Sequence, residues 1–470
     1  MTELLRYQVP PARTRFYAPG VPVALRVPET TLPALLDAAA GRRGRRTAVV
    51  CGGRRTGYTV LRHRAVRLAS SLAAAGVCRG ARVALLLPAG PQAVTACHAV
   101  WLLGAVVVPL DPGTAPEGIR RRLAHSGAVV VLCAAGAEVG AGTVRSRTRS
   151  VQVIEVPAGG GAPPWRLGRA RRPVRSPARA HGPRAAPSPG DPAVLLYEDG
   201  WAVMLTHRNL VAAAHQLLAW LPELTRRRAT VLCLNPPWRA SGLLFGVTGA
   251  ALAGARVILE PRPEPEAVLW AARRYRPVVL AAPAGELRRL LARPEHEWEA
   301  LSGVRTLVSG QLDEESGRRL RSLVDAPLVE SYGPADAAGI ALANPRGPNA
   351  RAGTAGIAVP GAEVRVAVEG FPHAEALPGR AGELLLRGPQ VCPGYWRDGA
   401  ATQRRLLPGG WLRTGRAAVA GPDGFVTLLD RGPHAPYAGP AAVMPARLRN
   451  APSGGAGPES GPGGPTGQEG

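Results

Sequence analysis

The basic residues of this chain restrict the chemistry that it can perform. All 58 of them, among 470 residues, are arginine and none is lysine; with 33 acidic residues the formal net charge is +25. A guanidinium group stays protonated at neutral pH and spreads its charge over a planar fork. The sequence therefore excludes any mechanism that needs a lysine as nucleophile, as Schiff-base former or as phosphate ligand.

Two explanations of the arginine excess stay open. A GC-rich coding sequence could replace lysine by arginine throughout, or the charge could serve to bind polyanions. The 58 glycines and 48 prolines favour the first explanation. Under either one, the net charge attracts nucleic acid or anionic membranes non-specifically at low salt, and we expect no specific nucleic-acid partner.

Cysteine usage and hydropathy predict a cytoplasmic protein. The six cysteines are scattered without a C-x-x-C pair, and most lie in apolar runs, which is typical of reduced, buried thiols. Residues 1–9 lack the apolar segment of a signal peptide. The most apolar stretch, residues 94–110, contains His98 and is short for a spanning helix, so we expect no transmembrane segment.

The pattern of apolar residues predicts an α/β fold. Short β-branched runs alternate with helical periodicity over residues 47–133 and again over 193–331, which indicates parallel strands with crossover helices. Beyond Gly353 the helices stop, and short strands alternate with Gly/Pro turns. The predicted organisation is an N-terminal extension, a first α/β subdomain, a disordered Arg/Pro-rich linker, a second α/β subdomain, a β-rich subdomain and a disordered tail, at residues 1–30, 31–162, 163–190, 191–350, 351–440 and 441–470.

Seven segments in order resemble one family, the AMP-forming acyl-CoA synthetases and related adenylate-forming enzymes. The similarity is greatest to the bacterial long-chain fatty-acid CoA ligases, and a high-GC bacterium is the expected source. The segments are residues 16–22 (FYAPGVP), 31–36 (TLPALL), 204–210 (MLTHRNL), 330–336 (ESYGPAD), 388–396 (GPQVCPGYW), 410–415 (GWLRTG) and 429–431 (LDR).

The resemblance implies a fold and an activity. The fold would be the N-terminal domain of an adenylate-forming enzyme, with two α/β subdomains and a β-rich subdomain. Such enzymes join ATP and a fatty or other carboxylic acid into an acyl-adenylate, release pyrophosphate, and pass the acyl group to coenzyme A. The site must bring two anions together, which requires phosphate donors, Mg²⁺ and cations.

The resemblance also implies positions for the site residues. Tyr332 would lie by the adenine, and Asp336 would be the Mg²⁺ ligand, on a side chain one methylene shorter than the usual glutamate. Arg239 would contact the carboxylate of the acid, where the fatty-acid ligases usually carry histidine. The other nucleotide-binding candidates are Thr206, Ser309, Gly310, Gly333, Thr414 and Arg431.

Several positions depart from the family pattern. The phosphate loop is about five residues short, and Glu198 and Asp199 place negative charge where phosphates should lie; the alternative interpretation is a tight strand-to-helix turn with Thr206 as the N-cap. Ala335 replaces a threonine that reaches the α-phosphate. Arg416 replaces the aspartate that accepts both ribose hydroxyls, and a guanidinium has no acceptor.

The C-terminal lid of the family, with its catalytic lysine, is also expected to be absent. Only 470 − 430 = 40 residues follow Asp430, whereas a small independent domain needs about 50 residues or more. A lid supplied by a partner protein remains an alternative, as does an error in the reading frame.

Three functional hypotheses follow. The first is a degenerate acyl-CoA synthetase homologue with little or no ligase activity, retained as a binding or partner protein. The second is an active acyl-CoA or acyl-AMP ligase in which arginines replace the missing groups or a lid acts in trans. The third is an Arg-rich polyanion binder that uses residues 163–190, which hold seven arginines and no acidic residue.

Overall fold

The computed structural model describes residues 4–7, 16–17, 22–134, 151–156, 186–198 and 200–429. These residues form one compact unit. Most of the predicted linker, the predicted tail, and residues Asp199 and Arg431 lie outside the described residues. No helix in the described part is long and apolar enough to cross a membrane.

The predicted α/β class is confirmed by three large sheets and the helices packed on them, together with a small two-stranded sheet. The helices are α1 Leu32–Arg43, α2 Tyr58–Ala74, α3 Pro91–Leu102, α4 Pro116–Ser126, α5 His207–Trp220, α6 Ala240–Leu243, α7 Gly249–Ala253, α8 Pro265–Tyr275, α9 Ala284–Leu291, α10 Glu314–Leu323 and α11 Gly399–Arg405. A π-helical turn, Leu244–Thr248, joins α6 to α7. The small sheet pairs β1 Leu4–Tyr7 with β2 Leu25–Pro28.

The first sheet has seven strands in the order β21-β10-β9-β6-β5-β7-β8. They are β5 Arg82–Leu86, β6 Val106–Pro109, β7 Val130–Ala134, β8 Gln152–Val156, β9 Pro192–Glu198, β10 Trp201–Thr206 and β21 Gly394–Tyr395. Strands β5 to β9 pair in parallel, whereas β10 is antiparallel to both its neighbours.

The second sheet has nine strands in the order β17-β16-β15-β14-β13-β11-β12-β3-β4. They are β3 Thr47–Cys51, β4 Arg54–Gly57, β11 Thr230–Cys233, β12 Arg256–Leu259, β13 Val279–Ala281, β14 Thr306–Ser309, β15 Leu328–Tyr332, β16 Leu342–Ala343 and β17 Ile357–Ala358. The six strands from β15 to β3 are parallel, so their carboxyl ends meet at one edge.

The third sheet is antiparallel, in the order β19-β18-β20-β23-β22 with β24 on β23. Its strands are β18 Glu363–Val368, β19 Phe371–Glu375, β20 Ala381–Arg387, β22 Leu406–Leu407, β23 Trp411–Ala420 and β24 Val426–Leu428. The expectation that helices stop beyond Gly353 is wrong, because α11 begins after Asp398, whose side chain accepts a hydrogen bond from the Ala401 N–H at 2.8 Å.

The first two sheets share a hydrophobic core. Successive strand residues point to opposite faces: Val83 and Val231 lie in the shared core, whereas Ala84 and Leu232 face the outer layers. Residues of α1, α2, α3 and α5 belong to the shared core, and α8, α9 and α10 cover the outer face of the second sheet. Burial on both faces explains why these strands read as continuous apolar runs.

Sheet membership does not follow the order of segments along the chain. Strands β3 and β4, from the first predicted α/β segment, pair within the second sheet, and β9 and β10, from the second segment, pair within the first. The α/β periodicity identifies the strands but carries no information about these long-range pairings.

Candidate functional site

A cleft of about 1180 Å³ opens at the carboxyl ends of the parallel strands of the second sheet. The residues that follow β11, β12, β13 and β14 line it, among them Asn235, Glu260, Ala282 and Gly310. In open parallel sheets this edge is where ligands bind, because side chains from several strand ends converge there. The cleft is therefore the candidate functional site.

Five of the sequence-predicted residues line this cleft: Ser309, Gly310, Tyr332, Gly333 and Arg239. Ser309 ends β14 and Tyr332 ends β15. A side chain could not replace the hydrogen of Gly333, since a Cβ there would collide with the backbone of Gly339. The Ser309 hydroxyl is buried and has no hydrogen-bond partner among the described residues, so it is a donor that a ligand could use.

Glu330 holds the loops on this side of the cleft. Its carboxylate accepts hydrogen bonds from the Leu312 N–H at 3.1 Å and from the Gly353 N–H at 3.0 Å. Burial raises the pKa of Glu330, and the two backbone donors oppose that shift. The residue thus fixes the loop after β14 against the loop before β17.

Thr206 is the N-cap of α5 and is not among the cleft-lining residues. Its hydroxyl accepts from the Asn209 N–H at 3.2 Å, and the Asn209 side chain accepts from the Thr206 N–H at 2.9 Å. This reciprocal capping box satisfies two N–H groups that a helix start leaves unpaired. The Asn209 amide also donates to the carbonyls of Pro389 and Val391, both at 2.8 Å.

The segment before Thr206 is a β-hairpin rather than the predicted strand-to-helix turn. Glu198 at the end of β9 pairs with Trp201 at the start of β10, which leaves a two-residue loop. Gly200 adopts a φ of 85° in that loop, a conformation that glycine permits without strain. The Glu198 carboxylate forms an ion pair with Arg239, at 2.7 Å.

Asp336 is buried and its carboxylate is already engaged. One oxygen accepts a hydrogen bond from the Tyr395 hydroxyl, and the Arg405 guanidinium lies 3.8 Å away. Burial, and then the charge of Asp336, raise the pKa of Tyr395, so Tyr395 remains a donor. Mg²⁺ needs near-ideal octahedral oxygen ligands; a carboxylate that is held by a phenol beside an arginine does not fit that requirement.

Thr414 and Arg416 lie on β23 and differ in role. The Thr414 hydroxyl donates to the Leu384 carbonyl at 2.7 Å, within the third sheet. Arg416 lines the cleft, and its Nε is buried with no partner among the described residues. Burial raises the pKa of Tyr332 to about 12, although the charge of Arg416 acts in the opposite direction.

Glu260 is a cleft residue that the sequence analysis missed. It follows β12 and lines the cleft, and no hydrogen bond or ion pair to it is found among the described residues. Burial raises its pKa to about 7. Its position directly after a parallel strand was the signal that could have identified it.

Acidic residues outnumber arginines among the residues that line the cleft. Three are arginines, Arg239, Arg288 and Arg416, whereas six are acids: Asp111, Glu198, Glu260, Glu286, Asp313 and Glu314. The chain as a whole has the opposite balance, +25. Four of the six acids lie within ion-pair distance of an arginine: Glu198 of Arg239, Asp313 of Arg288, Glu286 of Arg289 and Glu314 of Arg318.

Comparisons with known proteins agree with the fold and with the predicted resemblance. Rice (Oryza sativa subsp. japonica) 4-coumarate-CoA ligase 2 is 31% identical over 396 residues, covering 78% of this chain and 68% of the relative. The long-chain-fatty-acid-CoA ligase of Bacillus subtilis (strain 168) is 25% identical over 467 residues, covering 93% and 82%.

Solved structures show the same architecture. A benzoate CoA ligase from Burkholderia xenovorans LB400 superposes with a TM-score of 0.74 at 25% identity, covering 86% of this chain and 80% of that one. A long-chain-fatty-acid-CoA ligase from Archaeoglobus fulgidus reaches 0.75 at 22% identity, covering 89% and 87%. The model of the AMP-binding enzyme family matches residues 36–396, and the chain belongs to this family.

Proposed function

We propose that this chain is an acyl-CoA-ligase-like AMP-binding protein whose own adenylate-forming activity is impaired. The observation that carries the proposal is Arg416, which lines the cleft at the position where the family has an aspartate that accepts both ribose hydroxyls. Family members use ATP, and a guanidinium has no acceptor for those hydroxyls. We therefore expect weak ATP binding and little or no acyl-adenylate.

The hairpin at the cleft supports the same conclusion. Phosphates bind where several backbone N–H groups of a glycine-rich loop converge. The two-residue loop between Glu198 and Trp201 is too short to surround a phosphate chain. Arg239, the candidate contact for the acid's carboxylate, already pairs with Glu198, so an incoming carboxylate has to compete with that pair.

Arg416 and Asp336 weaken the nucleotide site further. Where the family has a ribose acceptor, Arg416 offers only donors; the loss of two charge-assisted hydrogen bonds, at about 1.5–3 kcal/mol each, lowers affinity by roughly two to four decades. Asp336, the proposed metal ligand, is occupied by Tyr395. Asp336 as placed thus does not fit a Mg²⁺ ligand, and coenzyme A enters only if adenylation occurs.

An active ligase is the second candidate, and one observation favours it. Arg416 lines the cleft, its buried Nε has no partner among the described residues, and a guanidinium can bind phosphate oxygens. In that case arginines take the place of the phosphate ligands that the family usually carries. The third hypothesis, polyanion binding by residues 163–190, falls mostly outside the described residues and stays a prediction. A cytoplasmic location also stays a proposal, supported by six cysteines that are all free thiols.

ATP–pyrophosphate exchange tests the proposal. The full chain is incubated with Mg²⁺, ATP, labelled pyrophosphate and a series of acids from acetate to stearate, beside an active family member. We expect no exchange above the enzyme-free background with any acid. Robust acid-dependent exchange would refute impairment and favour the active ligase.

A pair of substitutions tests the role of Arg416. Arg416→Asp restores an acceptor in the cleft, whereas Arg404→Asp makes the same charge change at an exposed residue of α11. Any residual ATP affinity should rise by about a hundredfold in Arg416→Asp relative to Arg404→Asp, since the two regained charge-assisted hydrogen bonds contribute about 1.5 kcal/mol each. Equal affinities in the two variants would contradict the assigned role.

A further inference from the structure

A second concave site lies at the edge of the second sheet opposite the cleft. Strands β3, β11 and β12 are neighbours and parallel, and their amino ends, at Thr47, Thr230 and Arg256, border a cavity of about 530 Å³. Five arginines line this cavity: Arg45, Arg46, Arg227, Arg228 and Arg256. We call it the arginine pocket.

No carboxylate balances the arginine pocket. Among the described residues, none of its five arginines forms an ion pair with an aspartate or glutamate. Elsewhere in the described chain arginines commonly pair with acids: Arg293 lies 2.6 Å from Glu266 and 2.8 Å from Glu297. The pocket thus concentrates positive charge in a concave space, where opposing walls focus the electrostatic potential.

Structural roles account for only some of the arginines in the arginine pocket. The Arg256 guanidinium donates to the Thr230 hydroxyl at 3.1 and 2.9 Å and to the Tyr275 carbonyl at 3.3 Å. Arg43 at the end of α1 donates to the Arg227 carbonyl at 3.2 Å, a favourable position for a cation near a helix C-terminus. The side chains of Arg45, Arg46, Arg227 and Arg228 have no such role among the described contacts.

The mutual repulsion of the arginines in the arginine pocket opposes folding. Partial burial, and then the charges of Arg43, Arg227 and Arg228, lower the pKa of Arg46. A GC-rich coding sequence explains how many arginines the chain has, but it does not explain why four of them surround one cavity without an acid. A bound anion would remove this repulsion and stabilise the folded state.

We propose that the arginine pocket binds a phosphate-bearing anion through the guanidinium groups of Arg45, Arg46, Arg227 and Arg228. Guanidinium forks match phosphate oxygens in a bidentate geometry, which suits a lysine-free chain. The anion is either a free polyphosphate or the headgroup of an acidic lipid. This site lies at the opposite sheet edge from the cleft and does not depend on the activity of the cleft.

Binding of two probes to the full chain tests the proposal. Sodium tripolyphosphate is titrated by calorimetry at low salt, and phosphatidylglycerol vesicles are co-sedimented with the protein. The pocket variant carries Arg45→Gln, Arg46→Gln, Arg227→Gln and Arg228→Gln. The control removes the same charge from exposed helix positions, by Arg67→Gln, Arg318→Gln, Arg319→Gln and Arg321→Gln.

We expect at least one probe to bind, and its affinity to fall by about tenfold or more in the pocket variant but not in the control, since four cationic contacts are lost. The probe that binds identifies the source of the phosphate. Thermal unfolding should show both variants folded, with the stabilisation by anion lost only in the pocket variant. Equal losses in both variants, unchanged binding in the pocket variant, or no binding of either probe would overturn the proposal.

Discussion

Single residues set the electrostatics of the cleft, and Glu260 is the clearest case. It is a carboxyl group without a partner among the described residues, and burial raises its pKa to about 7. A raised carboxyl pKa means that the folded state prefers the neutral form. The stabilisation that protonated Glu260 gives the folded state is complete below the unfolded pKa of about 4.5 and is lost as pH rises through about 7.

The variant Glu260→Gln tests this assignment. Glutamine keeps the shape but never ionises, so the variant should gain about 1 kcal/mol in free energy of unfolding relative to the wild type between pH 5 and pH 8, after solvent screening is allowed for. Urea unfolding at the two pH values measures the difference. The control is Glu314→Gln, an exposed carboxyl on α10 that pairs with Arg318, where no such gain is expected. A pH-independent difference for Glu260→Gln would contradict the raised pKa.

At the residue scale the sequence predicted part of the site. The resemblance to the family motifs singles out Tyr332 and Ser309, and both line the cleft at the ends of β15 and β14. Side-chain partners are not local: Asp336 meets Tyr395, 59 positions further along the chain. The motif alone therefore assigned Asp336 to a metal, whereas the fold engages it with a phenol.

At the scale of elements, the capping box of α5 connects two distant parts of the chain. Asn209 caps the helix through its oxygen and holds the carbonyls of Pro389 and Val391 through its nitrogen. Removing this side chain leaves buried groups unpaired, which costs more than the loss of a solvent-exposed cap.

Asn209→Ala should therefore destabilise the protein by about 2–4 kcal/mol, the sum of a lost cap and of unsatisfied carbonyls. Thr206→Ser, which retains the capping hydroxyl, should change the free energy of unfolding by less than about 1 kcal/mol. Chemical denaturation of the two variants makes the comparison. Similar losses of stability in both variants would show that packing of the Thr206 methyl group, rather than the hydrogen bonds of Asn209, stabilises the start of this helix.

Elements with strong periodicity were predictable, and others were not. Helix α10 lies within the α/β alternation predicted over residues 193–331, and its two buried residues, Gly317 and Leu320, are spaced three apart on one face. Strand β23, the longest of the described strands, is hard to recognise in the sequence because Arg413, Gly415 and Arg416 interrupt its alternation. Helix α11 has seven residues and a single buried one, Ala401, so it has no apolar stripe to detect.

For the whole molecule, the composition of the cleft differs from that of the chain. The sequence shows the net charge of +25, but a lining in which acids outnumber arginines arises only when strand ends and loops from distant segments meet. The family fold is retained together with its cleft, while the groups that would hold a polyphosphate differ. The proposed impairment therefore concerns nucleotide binding and leaves the fold intact.

Calorimetric titration of the full chain with ATP and Mg²⁺ tests whether nucleotide binding is impaired, because every adenylating mechanism requires the nucleotide to bind. Because the affinity for ATP is expected to be weaker by two or more decades, we expect no saturable heat at ATP concentrations up to about 1 mM. Half-saturation at 1 mM needs a binding free energy of about −4 kcal/mol. Saturable, magnesium-dependent binding at micromolar ATP would show that nucleotide binding is not impaired.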